Sequence, residues 1–585
     1  MNGTYAKDPP SPAIDLTQIS FYDLIKSVCK GPNPMPLHRV CTLMRKMNAK
    51  WLVEESLEET SELSKEFAAV RKRCGKNTDC KATRLSFFAD VGKGDWRHQD
   101  CRKGILAYVV LITLGFPEEH FAVRVGSKTI NIKDKTYIYE AVVAFPAKHK
   151  KQRDGTIAKV PITNYYYHCG NTFTTVIGTK NDYVRFKLSG TYFAQQNSLT
   201  SVCAHACIQM AINNSPVLTQ KKRRRKLTSE RINKILRIDH QNPQKQVGKF
   251  ERDPKKTSTK GLSNEQIQEL AKKLNIGILK MDFRYHPEVD ASRWIYPTLE
   301  SSCPTILGIQ RPPIGTTDWF SHVVTVLGHT MNTDSWGPEA KSGYQQLTSS
   351  YYHSTSEWVD HFLMADDNFG IYRTLPTNEL HHIILPQFNA DIHPSMGISF
   401  VPQEVTGRPI EAEFAAFIYL AKAFVPSALQ RFPNLKRLKW FNELLQTNTF
   451  NEKIKTKITC RTFWSSANQY VQHLATQKDR NQNRLDRQTI KKIASSLPEL
   501  VWITEVSLPD ILCGNKAKLG DILTSIDFTY ERYPDLKKII RAVKFAWLPG
   551  VGAIGKSSIL ISWPFTSYIP LQRSALAAKH PQMEW

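Results

Sequence analysis

The sequence predicts an α+β fold, because helix-forming and strand-forming segments occupy different parts of its 585 residues. Apolar residues recur at helical spacing over 18–73, whereas short segments rich in β-branched and aromatic residues dominate 121–193. A helix pattern that begins near Ser201 follows, and residues 401–585 mix both kinds of element. With 41% hydrophobic and 23% charged residues, the chain has the composition of a globular protein with a sizeable core.

Four regions are expected along the chain. A length of 585 residues corresponds to three or four domains at the usual size of about 100–200 residues. The predicted regions are a mainly helical N-terminal region over 1–120, a β-rich region over 121–190, a central domain over 191–400 with an exposed basic insertion at 215–260, and a mixed α/β region over 401–585. The sequence indicates no role for the two flanks.

Within the central domain, three apolar segments predict buried strands at 303–310, 321–329 and 361–367. A helix is predicted between the basic insertion and these strands, over 262–274. Ser263 is placed to cap that helix, with Gln266 at the capping-box position.

The net charge is strongly positive. Lys and Arg outnumber Asp and Glu by 79 to 53, giving +26 at pH 7, and such a charge attracts nucleic acid or an acidic partner. The densest basic run consists of Lys221, Lys222, Arg223, Arg224, Arg225 and Lys226. The simpler interpretation of this run is a solvated loop, and a contact with nucleic acid is the alternative.

Cysteine usage and hydropathy indicate a cytoplasmic protein. The eleven cysteines are odd in number and widely spread, so we expect reduced thiols instead of a disulfide framework. The N-terminus has no apolar core typical of a signal peptide, and no stretch of about 20 apolar residues predicts a membrane span. The apolar run at 104–116 suits a buried helix or strand.

Chemistry is indicated first by the segment 194–213, in which Cys203 lies near the start of a helix of small and apolar residues. Unpaired N–H groups and the positive end of the helix dipole lower the pKa of such a thiol and favour its nucleophilic thiolate. An upstream glutamine can donate its amide to an oxyanion formed by thiolate attack. Gln196 is the candidate with the nearer spacing, and Gln195 is the alternative.

Two later segments supply a base and its orienting group. His322 opens the apolar strand pattern at 321–329, and a strand holds an imidazole in place as a thiol's base requires. Asp366 is the first residue past the apolar part of the segment 361–367, where a carboxylate can fix the tautomer of the histidine. Asp367 and Asn368 are alternatives for the same role.

Two other patterns are weaker, so we predict neither a cofactor nor a metal. Residues 550–557 match a phosphate-loop spacing, but the residues that follow are β-branched and aromatic and do not predict the required helix. Cys74, Cys80, His98 and Cys101 could supply zinc ligands, although their spacing is loose for a zinc site. The His pair at 381–382 is a weaker candidate still.

The order of these segments resembles the papain-like cysteine peptidases, most closely the bacterial double-glycine leader peptidases that process bacteriocins. The resemblance covers roughly 190–400. The matching positions are Gln196, Cys203, Ala206, Met210, the helix 262–274, the strand 304–310, His322, Gly328 and Asp366. It implies a helix that carries the nucleophile and packs on an antiparallel sheet.

The resemblance implies a cysteine peptidase that cleaves a peptide or isopeptide bond in a protein or peptide substrate. Cys203 would attack the carbonyl, His322 would transfer the proton, Asp366 would orient His322, and Gln196 would stabilise the oxyanion. Amide transfer and deamidation use the same groups and stay open. The alternative function is a catalytically degenerate papain-like protein that binds nucleic acid, or acts as a scaffold, through its basic surface.

Overall fold

The structure is a computed structural model built mainly on three seven-stranded β-sheets. It describes residues 4–10, 12–31, 33–59, 61–89, 97, 104–116, 121–125, 128–151, 157–161, 165–220, 225–238, 262–311, 320–330, 352–380, 393–437, 441–442, 445, 458–476, 484, 486–508, 518–529, 539–545, 551–555 and 558–561.

The strands and helices have the following bounds. The strands are β1 (Ile14–Asp15), β2 (Trp51–Ser56), β3 (Asp79–Phe88), β4 (Ile105–Gly115), β5 (Phe121–Val125), β6 (Lys128–Ile132), β7 (Asp134–Ala144), β8 (Ala147–Lys151), β9 (Ile157–Pro161), β10 (Tyr165–His168), β11 (Asn171–Gly178), β12 (Tyr183–Phe193), β13 (Gly277–Asp282), β14 (Thr305–Arg311), β15 (Phe320–Thr330), β16 (His353–Ser354), β17 (His361–Asp366), β18 (Gly370–Pro376), β19 (His393–Val401), β20 (Thr459–Ser466), β21 (Leu500–Ser507), β22 (Gly520–Ser525), β23 (Ile540–Phe545), β24 (Val551–Gly555) and β25 (Ser558–Ile561). The helices are α1 (Phe21–Val28), α2 (Met35–Lys46), α3 (Ser61–Cys74), α4 (Cys203–Asn213), α5 (Pro216–Gln220), α6 (Ser229–Leu236), α7 (Asn264–Lys273), α8 (Ala291–Glu300), α9 (Pro409–Tyr419), α10 (Val425–Arg431), α11 (Ala467–Thr476) and α12 (Arg487–Ser496). Short 3₁₀ turns cover Thr355–Trp358, Thr377–Leu380 and Pro433–Arg437.

The first sheet has the antiparallel order β1-β2-β3-β4-β7-β12-β11. It corrects the prediction that 1–120 is mainly helical, because β2, β3 and β4 lie there beside α1, α2 and α3. It also shows that position 120 is no boundary, since β4 pairs with β7 across it. The apolar run at 104–116 is the strand β4, which is buried along nearly its whole length.

The second sheet has the antiparallel order β13-β19-β14-β15-β17-β18, with β10 beside β15. Its strands β14, β15 and β17 confirm the three buried strands predicted in the central domain. Helix α7 confirms the capping box, because Ser263 Oγ accepts the Gln266 N–H at 3.2 Å and Gln266 Oε1 accepts the Ser263 N–H at 2.9 Å. Helices packed on an antiparallel sheet make this an α+β protein, as expected.

Helix α4 lies across β15 and is fixed there by two hydrogen bonds. The Cys207 thiol donates to the carbonyl of Val323 at 3.3 Å, and the Thr325 hydroxyl donates to the carbonyl of Cys207 at 3.2 Å. Every residue of α4 after Cys203 is buried. Small residues such as Ala206 and Ala211 let the helix approach the sheet closely.

The predicted exposed insertion at 215–260 is in part a packed element. Residues 216–220 and 229–236 form α5 and α6, and Leu227, Ile232 and Leu236 are buried in the same core as the first sheet. Residues 229–236 therefore form an amphipathic helix whose apolar side faces the core. Residues 239–261 lie outside the described part of the chain.

The third sheet gathers the C-terminal strands. Strands β20 to β23 are antiparallel, β16 joins β20 in parallel, and β25 lies between β23 and β24. Because β24 and β25 form an antiparallel pair, a strand follows the phosphate-loop pattern at 550–557. A phosphate-binding loop needs a helix directly after the glycine-rich pattern, whereas this fold has the strand β25 there.

One helix in the described part of the chain is long and apolar enough to cross a membrane. It spans Pro409–Arg431 and consists of α9, a π-helical turn at Leu420–Phe424, and α10. The fold buries 61% of its most apolar window. A core helix of a folded domain meets the same criteria, so this helix does not overturn the prediction that nothing spans a membrane.

A buried network of charges joins the second and third sheets. Arg461 on β20 donates to Glu300 at the end of α8 and, at 2.7 Å, to Glu505 on β21. Glu300 also accepts from His329 Nε2 at 2.6 Å. Burial opposes ionisation of Glu300, but the charge of Arg461 and the bond from His329 outweigh it and lower its pKa to about 2.

We expect Arg461→Ala to lower the free energy of unfolding by about 3–5 kcal/mol, because it leaves buried carboxylates without their shared cation. Urea denaturation followed by circular dichroism measures the loss. Arg408→Ala is the control: Arg408 pairs with Glu411 at 3.2 Å, but its side chain is 61% exposed, and an exposed pair contributes little. Equal losses in the two variants would contradict a structural role for the network.

Candidate active site

Cys203 is the first residue of α4, and its side chain is half-buried. The turn before it is built on Asn197, whose Oδ1 accepts the N–H groups of Leu199, Thr200 and Ser201 at 2.8–3.0 Å. This turn ends just before the helix begins, so the thiol lies at the end where backbone N–H groups are unpaired within the helix. The sequence therefore places a sulfur at the positive end of the helix dipole.

A carboxylate from the N-terminal region anchors this turn. Glu66 on α3 accepts from the side-chain amide of Asn197 and from the hydroxyl of Tyr137, each at 2.8 Å. Burial raises the pKa of Glu66, and these hydrogen bonds act in the opposite direction. Sequence patterns gave no sign of this residue, because its partner lies 131 positions away.

His322 lies between the thiol and a carboxylate. It is near the start of β15, is 7% exposed, and its Nε2 lies 3.2 Å from Asp366 Oδ1 at the end of β17. The Cys203 thiol lies within hydrogen-bonding reach of the same imidazole. The structure thus brings together three side chains that are up to 163 positions apart in the sequence, Cys203, His322 and Asp366.

The electrostatics of the site favour a charged imidazole. Burial disfavours protonation of His322, but hydrogen bonds with Asp366 and Cys203 and the charges of Asp366 and Asp367 raise its pKa to about 10. Asp367 Oδ1 lies 3.6 Å from His322 Nε2. Burial raises the pKa of Asp367 to about 7, with His322 lowering it and Asp366 raising it further.

Asn368 connects the acid turn to the glutamine predicted for the oxyanion. Its backbone N–H donates to Asp366 Oδ1 at 2.8 Å, and its side-chain oxygen accepts from Gln196 Nε2 at 3.4 Å. Gln196 therefore lies beside the turn that carries Asp366. The alternative, Gln195, is bonded to the first sheet, because its side-chain oxygen accepts the N–H of Ile138 on β7 at 3.0 Å.

The N-terminal region also holds the turn after Asp366. Arg39 on α2 donates to the carbonyls of Ile371 and Tyr372, at 3.0 Å for Ile371, and Asn33 Nδ2 donates to the carbonyl of Asn368 at 3.2 Å. Gly370 has φ +100°, and a Cβ there would lie 2.8 Å from Arg39 Cβ. The turn thus requires glycine and is clamped by α2, which the sequence did not indicate.

Neighbouring thiol and imidazole groups have structural roles. Cys207 is fully buried, and burial raises the pKa of its thiol well above the usual value. His205 Nδ1 accepts the N–H of Val202 at 3.4 Å, and its Nε2 lies 2.9 Å from Asn233 Oδ1. His329 is fully buried beside Glu300. Cys207, His205 and His329 therefore belong to the core.

The predicted polyanion contacts fall in two groups. Lys221, Lys222, Arg223 and Arg224 lie outside the described residues, and Arg225 is exposed. Lys226 corrects the prediction, because its ammonium pairs with Glu140 and lies 3.7 Å from Glu62. Lys226 is therefore a half-buried cation that is already paired with carboxylates. Of the weaker metal candidates, His98, Cys101 and the pair at 381–382 also lie outside the described residues.

A group that could hold a metal does lie within the described residues. It consists of His322, Asp366 and Asp367, all buried, whose ligand atoms lie within 4.8 Å of one another. One imidazole nitrogen and two carboxylates are donors that divalent transition metals accept.

The two cysteines of α4 are expected to differ in reactivity, because Cys203 is half-buried and Cys207 is fully buried with a raised thiol pKa. Iodoacetamide should alkylate Cys203 in the native protein, and Cys207 only after denaturation. Peptide mass spectrometry of native and unfolded samples measures both sites. Native alkylation of Cys207 at the rate of Cys203 would contradict the packing of α4.

Comparison with known proteins assigns no family to this arrangement. No protein-family model, no curated protein and no solved structure matches the chain. The positions of Cys203, His322 and the two carboxylates beside His322 are the features that bear on its function.

Proposed function

We propose that the protein is a cysteine hydrolase that cleaves a peptide or isopeptide bond. The observation that carries this proposal is that His322 is hydrogen-bonded with the half-buried Cys203 thiol and lies 3.2 Å, through Nε2, from Asp366 Oδ1. A nucleophile, a base and a group that orients the base are the three parts that nucleophilic catalysis by a thiol needs. Cys203, His322 and Asp366 are suited to these three roles by their chemistry and by their proximity.

The reactive state is the pair of Cys203 thiolate and His322 imidazolium, formed by transfer of the thiol proton to His322, and the carboxylates beside His322 favour its charged form. Because Nε2 of His322 is directed at Asp366, the other ring nitrogen is the one available to the thiol. The thiolate attacks the substrate carbonyl, and His322 then gives its proton to the leaving amine. Water hydrolyses the resulting thioester, with His322 accepting a proton from the water.

The oxyanion formed by the attack needs hydrogen-bond donors that are already in place. The backbone N–H of Cys203 is one donor, since it lies at the start of α4. Gln196 is the proposed second donor. Its side-chain amide borders the acid turn through Asn368 at 3.4 Å, and a short movement exchanges that contact for one with the substrate.

Asp366 is the preferred orienting group. Its Oδ1 is the nearer carboxylate oxygen to His322, at 3.2 Å against 3.6 Å for Asp367. It is also held by the N–H of Asn368, which fixes its direction. Asn368 has a different role, because it links Asp366 to Gln196 and does not replace the carboxylate.

The same arrangement supports a papain-like fold for the central region. A helix with cysteine at its tip lies on an antiparallel sheet, histidine stands near the start of one strand, and an aspartate ends the neighbouring strand. The order along the chain matches the resemblance to the leader peptidases. Amide transfer or deamidation would use the same groups with a different acceptor or substrate.

A thiol-directed epoxide tests the proposal by its rate of reaction with Cys203. In His322→Ala the second-order rate constant is expected to fall about 10²–10⁴-fold, the usual contribution of a positioned acid–base group. His286→Ala is the matched control, since His286 is exposed and pairs only with Glu288 among the contacts described for it. Its rate should stay at the wild-type value.

The proposal fails if Cys203 reacts no faster than Cys29 and Cys74, the half-buried thiols outside the site. It also fails if His322→Ala and His286→Ala react alike. Circular dichroism and thermal unfolding of each variant separate a lost base from a lost fold. Products released from peptide libraries would then distinguish hydrolysis from transfer.

Arg39→Ala is expected to slow the epoxide reaction of Cys203 about tenfold, because a small misplacement of catalytic groups lowers the rate steeply. The change frees the turn that carries Asp366 while leaving every proposed catalytic group intact. Arg45→Ala, an exposed residue on the same helix, is the control and should react normally. Equal rates for the two variants would show that the clamp is dispensable.

A further inference from the structure

Three ligand atoms, one of them on the proposed base His322, lie close enough together to share a metal ion. His322 Nε2 lies 3.2 Å from Asp366 Oδ1 and 3.6 Å from Asp367 Oδ1. Ligands about 2.0–2.1 Å from a tetrahedral zinc ion lie about 3.3 Å from one another. Both distances are close to that value, and the ligand atoms of all three residues lie within 4.8 Å of one another, so one ion can be bound between them after side-chain adjustment.

Asp367 supplies an independent indication of a ligand. Its side chain is fully buried, and neither carboxylate oxygen has a hydrogen-bond partner among the described residues. A buried carboxylate without hydrogen bonds is costly unless a cation compensates it. Asp366 differs, because it accepts the N–H of Asn368. Asp366 orients His322, whereas Asp367 contributes its charge at 3.6 Å without a hydrogen bond, and a bound cation would give that carboxylate a direct ligand contact.

We propose that His322, Asp366 and Asp367 bind one divalent cation of the zinc class, and that this ion reversibly inhibits the enzyme. One imidazole and two carboxylates suit zinc, whereas Ca²⁺ and Mg²⁺ require more oxygen ligands. When the imidazole has given up its proton to bind the metal, the two carboxylates carry a negative charge that a divalent ion cancels. The fourth position is open to water.

The inhibitory effect rests on the proposed function, whereas the binding itself does not. A metal at Nε2 occupies the lone pair of His322 and separates the imidazole from Asp366. The ring proton of the neutral imidazole then lies on the other nitrogen, which faces the thiol and can no longer accept the proton of Cys203. Since the metal and the protonated imidazole exclude each other, removing the ion restores the base without any covalent change.

Direct metal binding tests the site. Chelator-treated full-length protein is titrated with Zn²⁺ by calorimetry and with Co²⁺ by visible absorption, and we expect one tight equivalent. Asp367→Asn should weaken the affinity at least about tenfold. Asp79→Asn is the control, because that carboxylate is exposed on the first sheet and pairs with Lys81. His322→Gln is the second variant if Asp367→Asn fails to fold.

Cys203→Ser distinguishes this site from one that uses the thiol. It should keep the tight equivalent, and Co²⁺ bound to the protein with Cys203 in place should show no thiolate charge-transfer band. Loss of binding in Cys203→Ser, or unchanged affinity in both Asp367→Asn and His322→Gln, would overturn the proposed ligands.

The same samples separate this inference from the proposed function. Zn²⁺ should block epoxide reaction at Cys203, and chelator should restore it. If one equivalent binds but Cys203 shows no selective reactivity, the hydrolase proposal fails and the metal site stands. If Cys203 is selectively reactive and no equivalent binds, the metal inference fails alone.

Discussion

The contact between α4 and β15 is the constraint on which the site depends. Cys207 and Thr325 bond the helix to the strand through backbone carbonyls, and the interior positions of the helix are filled by buried side chains. With the helix fixed there, its first residue lies beside His322. A change of helix orientation would separate sulfur and imidazole even if every catalytic side chain were kept.

The N-terminal region completes the site from outside. Glu66 holds the turn before Cys203, and Arg39 and Asn33 hold the turn after Asp366. The two turns therefore gain their positions from one common support, the helices packed on the first sheet. Tyr372 adds to this support, because its hydroxyl donates to Thr191 on β12 at 2.8 Å.

The elements that carry the candidate site could be predicted because each has a local signal. Cys203 opens a helix of small residues, His322 stands near the start of an apolar strand, and Asp366 ends another. The same signals could not separate Asp366 from Asp367, since adjacent residues follow the same strand. Spacing favoured Gln196 over Gln195, but it could not indicate that the side chain of Gln195 is bonded to Ile138 on the first sheet.

Contacts between distant segments leave no such signal. Glu66 and Lys226 look like ordinary charged helix or loop residues, yet one holds Asn197 and the other pairs with Glu140. The prediction that residues 1–120 are mainly helical was wrong for a related reason. Helical periodicity in α2 and α3 is strong, whereas β4 is buried nearly throughout and lacks the alternation that marks a half-exposed strand.

The buried pair of Glu300 and Arg461 spans 161 positions, and this separation has a consequence for synthesis on the ribosome. Chains fold from the N-terminus as they emerge, so the strands around Cys203 exist well before Arg461 is translated. Until then, of the two side chains that bond Glu300 in the described part of the chain, His329 is present and Arg461 is not. The last third of the chain therefore closes the interior of the middle third, and a nascent chain stalled before residue 461 would remain open at that interface.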